Sequence, residues 1–174
     1  MDRRAEFEVF ARQRGADLLR TADLITWHRA TAEDAVQEAL LQVFRRWSRV
    51  RKMEFPYAYA RRVTVNVAVA MAERRRGTVD LANLDVREDL RLADDLDGLA
   101  ERVDLAAQLS RLPSSQRAVL TLRFFDDLSE LETASVLGIA VGTVKSTTSR
   151  ALARLRLENV ITEPIPESLK GVKP

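Results

Sequence analysis

The chain has 174 residues, with 28 Lys and Arg against 26 Asp and Glu, for a net charge of +2. It has no Cys and a single His, His28, which excludes disulfides and thiolate metal sites and leaves a His-based metal site without partners. Gly and Pro are scarce, at 6 and 5, which favours helices, and with neither an apolar signal-like run at the N-terminus nor a membrane-length apolar stretch the expectation is a cytoplasmic protein without membrane insertion.

Phe7, Phe10, Ala11, Leu18, Ala22 and Ile25 fall on one stripe of a first helix, which Gly15 interrupts. His28 reads as an exposed helix-end or loop residue. Thr31-Ala32-Glu33-Asp34 is a helix-start signal. The second helix then runs through Val36, Ala39, Leu40, Val43, Phe44 and Trp47, with Glu33, Asp34, Gln37, Glu38 and Gln42 opposite. Pro56 suits the first turn of a third helix, which continues through Tyr59, Val63, Asn66, Val67 and Ala70 to Arg74-Arg75-Arg76, where Gly77 is placed to end it. Residues 77–103 are acidic and lack aromatics; they read as a linker that orders on a partner.

A second helical module begins at about residue 104, with Leu105, Leu109 and Leu112 on one face. Pro113 starts a helix carrying Val119, Leu120, Leu122 and Phe124. Ser129-Glu130-Leu131-Glu132 is a capping box that opens a short helix ending at Gly138. After the turn Ile139-Ala140-Val141-Gly142, a last helix from Thr143 to about Leu157 directs Val144, Thr148, Ala151, Leu152 and Leu155 inward. Lys145, Ser146, Ser149, Arg150 and Ala153 face out. In 158–174 the periodicity fades, as in a mobile tail.

The charges are segregated. From Arg45 to Arg76 ten basic residues face two acids, and from Asp80 to Asp104 nine acids face three arginines. From Val141 to Leu157 there are four basic residues and no acid. Two basic modules joined by an acidic connector suit two polyanion-binding surfaces, although charge alone fits solvated surfaces equally well. A short helix, a tight turn and a second helix with a polar-basic face form a helix-turn-helix. Its second helix can enter the major groove. Lys145 and Arg150 can reach guanine acceptors or phosphates, and Ser146 and Ser149 are small donors that permit close approach.

These segments resemble the sigma-70 family. Leu112-Pro113, Gln116-Arg117-Ala118-Val119-Leu120 and Leu122-Arg123-Phe124-Phe125 are similar to the start of sigma region four. Leu128-Ser129-Glu130-Leu131-Glu132-Thr133-Ala134 resembles its first helix-turn-helix helix. Gly142-Thr143-Val144-Lys145-Ser146 with Ser149-Arg150-Ala151-Leu152 resembles its recognition helix. In the first half, Ala32-Glu33-Asp34-Ala35-Val36-Gln37-Glu38-Ala39 and Tyr57-Ala58-Tyr59-Ala60-Arg61-Arg62-Val63-Thr64-Val65-Asn66 resemble region two of the extracytoplasmic-function (ECF) sigma factors, in particular the SigE-like group common in actinobacteria.

The resemblance implies an all-α protein of two small domains, a region-two-like domain over 1–76 and a region-four-like helix-turn-helix domain over 104–157, with the linker 77–103 between them and the tail 158–174 after them. It implies a polymerase subunit that needs no cofactor and has no catalytic site. Glu33, Asp34, Gln37 and Glu38 would meet the clamp helices of the largest subunit of core RNA polymerase. The flap of the second-largest subunit would hold the C-terminal module. Asn66 would help read a −10 base flipped from the opened strand, while Arg61, Arg62, Arg74, Arg75 and Arg76 hold phosphates. Arg123, Lys145, Ser146, Ser149 and Arg150 would contact the −35 element of promoter DNA. The linker would thread toward the polymerase active-site cleft. Whether an anti-sigma factor is a further partner stays open.

Some positions depart from the family pattern. Ala140 replaces a frequent Ser before the recognition helix, Thr147 and Ser149 replace larger side chains, and Trp27-His28 replaces a common Gly-Asp turn. The competing reading is a conventional helix-turn-helix regulator that binds duplex DNA alone. It would need a sensor or dimerisation module upstream, and residues 1–76 show neither a β/α receiver pattern nor a heptad seam. An enzyme is disfavoured because nothing nominates a nucleophile or base.

Overall fold

The structure, a computed structural model, describes residues 2–76 and 108–157. The expectations for Gly77, Leu105, the acidic linker and the tail lie outside the described residues. Every regular element among the described residues is helical: α1 (Arg3–Thr26), α2 (Arg29–Arg45), α3 (Trp47–Val50), α4 (Pro56–Arg76), α5 (Ser114–Leu120), a π-helical turn (Thr121–Phe125), α6 (Glu130–Leu137) and α7 (Val141–Leu157).

α1 runs through Gly15 unbroken, because its buried stripe of Leu18, Ala22 and Ile25 outweighs the propensity lost at one glycine. Its end explains the Trp27-His28 departure. Trp27 takes the left-handed conformation (φ 54°) that commonly closes a helix, and its N–H returns to the Asp23 carbonyl at 2.9 Å. His28 then caps α2: its Nδ1 accepts from the Thr31 N–H at 3.2 Å and pairs with the Thr31 hydroxyl at 2.8 Å. The second helix therefore starts at Arg29, ahead of the expected Thr31 signal, because the Thr31 hydroxyl is engaged by His28. His28→Ala is expected to lower stability by about 0.5–2 kcal/mol, as the loss of an N-cap does. A thermal melt checks this, with His28→Asp expected to retain the cap.

α2 ends earlier than expected. Arg46 leaves helical geometry (φ −106°, ψ 8°), and Trp47 begins the separate short helix α3. The break lets the indole, 3% exposed, reach Phe7 and Phe10, with centroids 5.3 and 4.9 Å away. Pro56 opens α4, as its fixed φ and missing N–H favour.

α1, α2 and α4 pack on one another to form the N-terminal module. In the C-terminal module, Leu112, Leu120, Ala151 and Leu155 form one apolar cluster, and Val119, Ala134 and Val144 another. The expected inward set of the last helix holds, with Val144, Ala151 and Leu155 buried and Thr148 and Leu152 half-buried. That helix begins at Val141, two residues before Thr143. Gly138 closes α6 in the left-handed region (φ 67°).

The two modules also share a core. Ala118, Leu122, Leu128 and Val136 join Leu18, Ala22, Ile25, Ala60, Val65 and Ala68 in a single buried cluster. The π-helical turn, closed by the Asp126 N–H on the Thr121 carbonyl at 2.9 Å, lies at this junction. Leu122 within it is fully buried.

Candidate nucleic-acid interface

The recognition surface is built from the cap upward. Ser129 Oγ accepts from the Glu132 N–H at 3.2 Å, and the Glu132 carboxylate accepts from the Ser129 N–H at 2.8 Å. This reciprocal box fixes the start of α6. The Ser129 hydrogen bonds hold the Glu132 carboxyl below the usual carboxylate range. Gly138 then turns the chain, and α7 packs on α6 and α5 through Val144, Ala151 and Leu155. Lys145, Ser146, Ser149 and Arg150 remain exposed on the outer face, as expected.

These side chains are partly organised already. Arg150 donates from Nε to the Ser146 carbonyl at 3.1 Å and from Nη2 to Ser146 Oγ at 3.2 Å, and Ser146 Oγ donates to the Thr143 carbonyl at 3.2 Å. Lys145 pairs with Glu130 of α6 at 3.5 Å. Arg123 is different. It is 7% exposed and its guanidinium donates to the Leu128 carbonyl, so it braces the corner before α6 and presents no charge outward.

The N-terminal module carries an open groove of about 740 Å³ between α2 and α4. Arg62, Asn66 and Arg74 line it from α4, together with Tyr59, and Glu38, Gln42 and Arg46 line it from α2 and its end. Tyr59 accepts a hydrogen bond from Arg46 at 3.0 Å, which favours the charged guanidinium further. A groove with three cations against one carboxylate, a phenol and two amides suits a nucleic-acid strand: phosphates on the cations, and a base edge on Asn66.

The remaining expected groove residues go elsewhere. Arg61 lies on another side of α4, with its guanidinium 5.5 Å from the Tyr57 ring centroid. Arg75 reaches back to Thr31 Oγ1 at 3.5 Å. Arg76 ends α4, and its side chain lies outside the described residues. Consecutive arginines cannot share a face at a spacing of 3.6 residues per turn, which is why the basic runs split.

On α2, Glu33, Asp34 and Gln37 are exposed, while Glu38 is half-buried at the groove and accepts from Gln42 at 2.9 Å. Glu33 is paired with Arg29 at 2.7 Å. None of these acids is in the first turn, so complementing the helix dipole is not their main effect. Leu41, 45% exposed, continues the same face. Its spacing, four residues after Gln37 and seven after Asp34, could have exposed it in the sequence. Among the described residues no cluster of His, Cys, Asp and Glu could hold a metal ion, and no helix is long and apolar enough to cross a membrane.

A helix-turn-helix whose second helix carries no acid and a separate cationic groove define a two-surface nucleic-acid-binding protein. Family comparison makes this specific. Residues 10–78 match the model for Sigma-70 region 2, and residues 102–155 match that for Sigma-70, region 4. The chain is 36% identical over 153 residues to the RNA polymerase sigma-E factor of Streptomyces avermitilis, covering 88% of this chain and 84% of that one. It is 30% identical over 152 residues to the ECF RNA polymerase sigma factor SigM of Mycobacterium tuberculosis, covering 87% and 76%. The chain belongs to the sigma-70 family, among its ECF sigma factors. Its fold also matches a solved sigma factor, RpoE of Bartonella quintana in complex with the anti-sigma factor NepR, with a TM-score of 0.67 and 23% identity over 91% of this chain and 99% of that one.

Proposed function

We propose that this chain is a promoter-selecting subunit that binds core RNA polymerase in the cytoplasm and performs no catalysis itself. The observation that carries the reading is the pairing of a capped recognition helix, whose outer face bears Lys145, Ser146, Ser149 and Arg150, with a groove bearing Arg62, Asn66 and Arg74. The helix enters the major groove of duplex −35 DNA. The α2/α4 groove takes the opened −10 strand, with Asn66 on a base edge. The cations supply salt-sensitive affinity common to all sequences, and the few base contacts supply choice. Arg61, Arg75 and Arg76 extend the phosphate-binding surface, and Arg123 supports −35 binding by bracing the module.

The exposed face of Glu33, Asp34, Gln37 and Leu41, with Glu38 at its edge, docks on the clamp helices of the largest polymerase subunit. The C-terminal module meets the flap of the second-largest subunit. Asp34→Ala is expected to weaken core binding about three- to thirtyfold, as loss of a contact at a docking face does. A binding titration with unchanged affinity would remove Asp34 from the docking face. An anti-sigma protein is a further partner, by analogy with the RpoE–NepR complex.

Run-off transcription with core polymerase, with and without this protein, on pooled genomic promoter fragments tests the whole reading. New starts sharing two spaced elements are the expected result. Duplex binding without any transcript would instead favour a conventional regulator.

A further inference from the structure

The groove between α2 and α4 is cationic at its ends and not at its centre. Two links across it fix how the helices lie. Arg46, just past the end of α2, donates to Tyr59 near the start of α4 at 3.0 Å, and Arg75 near the end of α4 reaches Thr31 near the start of α2 at 3.5 Å. The two helices therefore run antiparallel. With the same rise along both, moving inward from the Arg46–Tyr59 link brings Gln42 level with Val63 and Glu38 level with Val67. Asn66 is exposed on the α4 lip at that level. Arg46 and Arg62 flank this centre at one end and Arg74 at the other, all three exposed. Arg62 and Arg74 are roughly 18 Å apart along α4 at the helical rise.

The centre has its own chemistry. Val63 and Val67, both half-buried, give it an apolar floor. Glu38 accepts from Gln42 Nε2 on one carboxylate oxygen at 2.9 Å, which leaves the other oxygen as an acceptor. Among the described residues Glu38 is in no salt bridge, although cations stand on both sides of it. A phosphate at this level would meet a fixed negative charge and an apolar floor that cannot solvate it. A base suits both: its face lies on the valines, and its edge meets a carboxylate that only accepts and amides that also donate. A carboxylate reads amino groups, as it does the cytosine amine in duplex DNA. Cytosine, adenine and guanine each carry an exocyclic amine. Thymine has none, and its carbonyl oxygens would leave the carboxylate unsatisfied.

We propose that Glu38, held by Gln42, is a specificity-determining residue of the groove: it accepts from the exocyclic amine of one unpaired base of the −10 strand and rejects thymine at that position. The proposal rests on the assignment of the groove to that strand. Phosphates on either side of the chosen base fall to Arg62 and Arg74, and Asn66 completes the base edge. Glu38 thus acts on the strand as well as standing at the edge of the docking face.

The test uses holoenzyme assembled from core polymerase and the full chain. It is titrated with single-stranded oligonucleotides that span the −10 element found by run-off transcription, each position carrying each of the four bases in turn. Preferences are taken as ratios within one variant, so that any change in polymerase docking cancels. At one position the wild type is expected to bind thymine about ten- to a hundredfold more weakly than the best amino-bearing base, the range of one good base contact. Glu38→Gln should remove most of that penalty at that position alone, because the amide can donate to a thymine carbonyl. Asp34→Ala should lower binding of all oligonucleotides alike and keep the ratio. A Glu38→Gln profile that matches the wild type at every position, whether or not overall binding falls, would overturn the proposal and leave Glu38 a docking residue. So would a wild type that disfavours thymine nowhere. Holoenzyme that binds no oligonucleotide better than core polymerase alone would strike the −10 reading of the groove itself, and the proposal with it.

Discussion

Arg150→Ala is expected to weaken binding to a cognate −35 duplex by about 1–3 kcal/mol, roughly ten- to a hundredfold, the range of a lost bidentate base contact. Its binding to a scrambled duplex should change far less. The basis is geometric. Ser146 holds the guanidinium by its carbonyl and its hydroxyl, so little side-chain freedom remains to be lost on DNA. Lys145→Ala should also weaken −35 binding, with a second signature. Lys145 is paired with Glu130, so its removal leaves an acid uncompensated beside the DNA face. That variant should lose affinity for all sequences as well, and its salt dependence should fall by about one counterion. Anisotropy titrations of the full chain on intact and scrambled duplexes, at two salt concentrations, separate the two patterns. Unchanged affinity and unchanged selectivity in both variants would remove these residues from the reading face.

Leu122→Ala is expected to cost about 2–5 kcal/mol, the usual range for emptying a fully buried leucine site. The more informative part is where the loss is felt. Leu122 belongs to the apolar cluster that both modules share, so a single unfolding transition should shift as one. Leu155→Ala provides the contrast, because Leu155 lies in a cluster of the C-terminal module alone. Calorimetry should show the Leu122 variant moving the signal of both modules, including the Trp47 environment in the N-terminal one. If only the C-terminal module responded to Leu122→Ala, the shared core would not be a cooperative unit in solution.

Local features were legible in the sequence where a short-range rule governs them. The capping box at Ser129 and Glu132, the left-handed Gly138 and the inward set of Val144, Ala151 and Leu155 all appear in the structure as expected. So does Pro56 at the head of α4. What was not legible depends on partners distant in sequence. Arg117 and Arg123 look like surface cations in the sequence, yet both are buried against carbonyl oxygens. Arg61 and Arg62 are neighbours in sequence but point to different sides of α4, one under the other module and one into the groove. The α1–α2 corner was opaque because a histidine cap and a tryptophan in the left-handed region are both uncommon solutions. The aromatic packing of Phe7 and Phe10 on Trp47 supplied the reason for the break at Arg46, and periodicity alone continues the helix through it.

The recognition helix is anchored entirely from its inner side, by Val144, Ala151 and Leu155, while Lys145, Ser146, Ser149 and Arg150 take no part in any apolar cluster. Substitutions at the four outer positions are therefore close to neutral for folding, in the range usual for exposed sites away from caps and cores, about ±0.5 kcal/mol. Selection can rewrite what this helix reads without first repairing the scaffold that carries it. Two chains built on this scaffold can therefore differ at the outer positions while keeping the same fold.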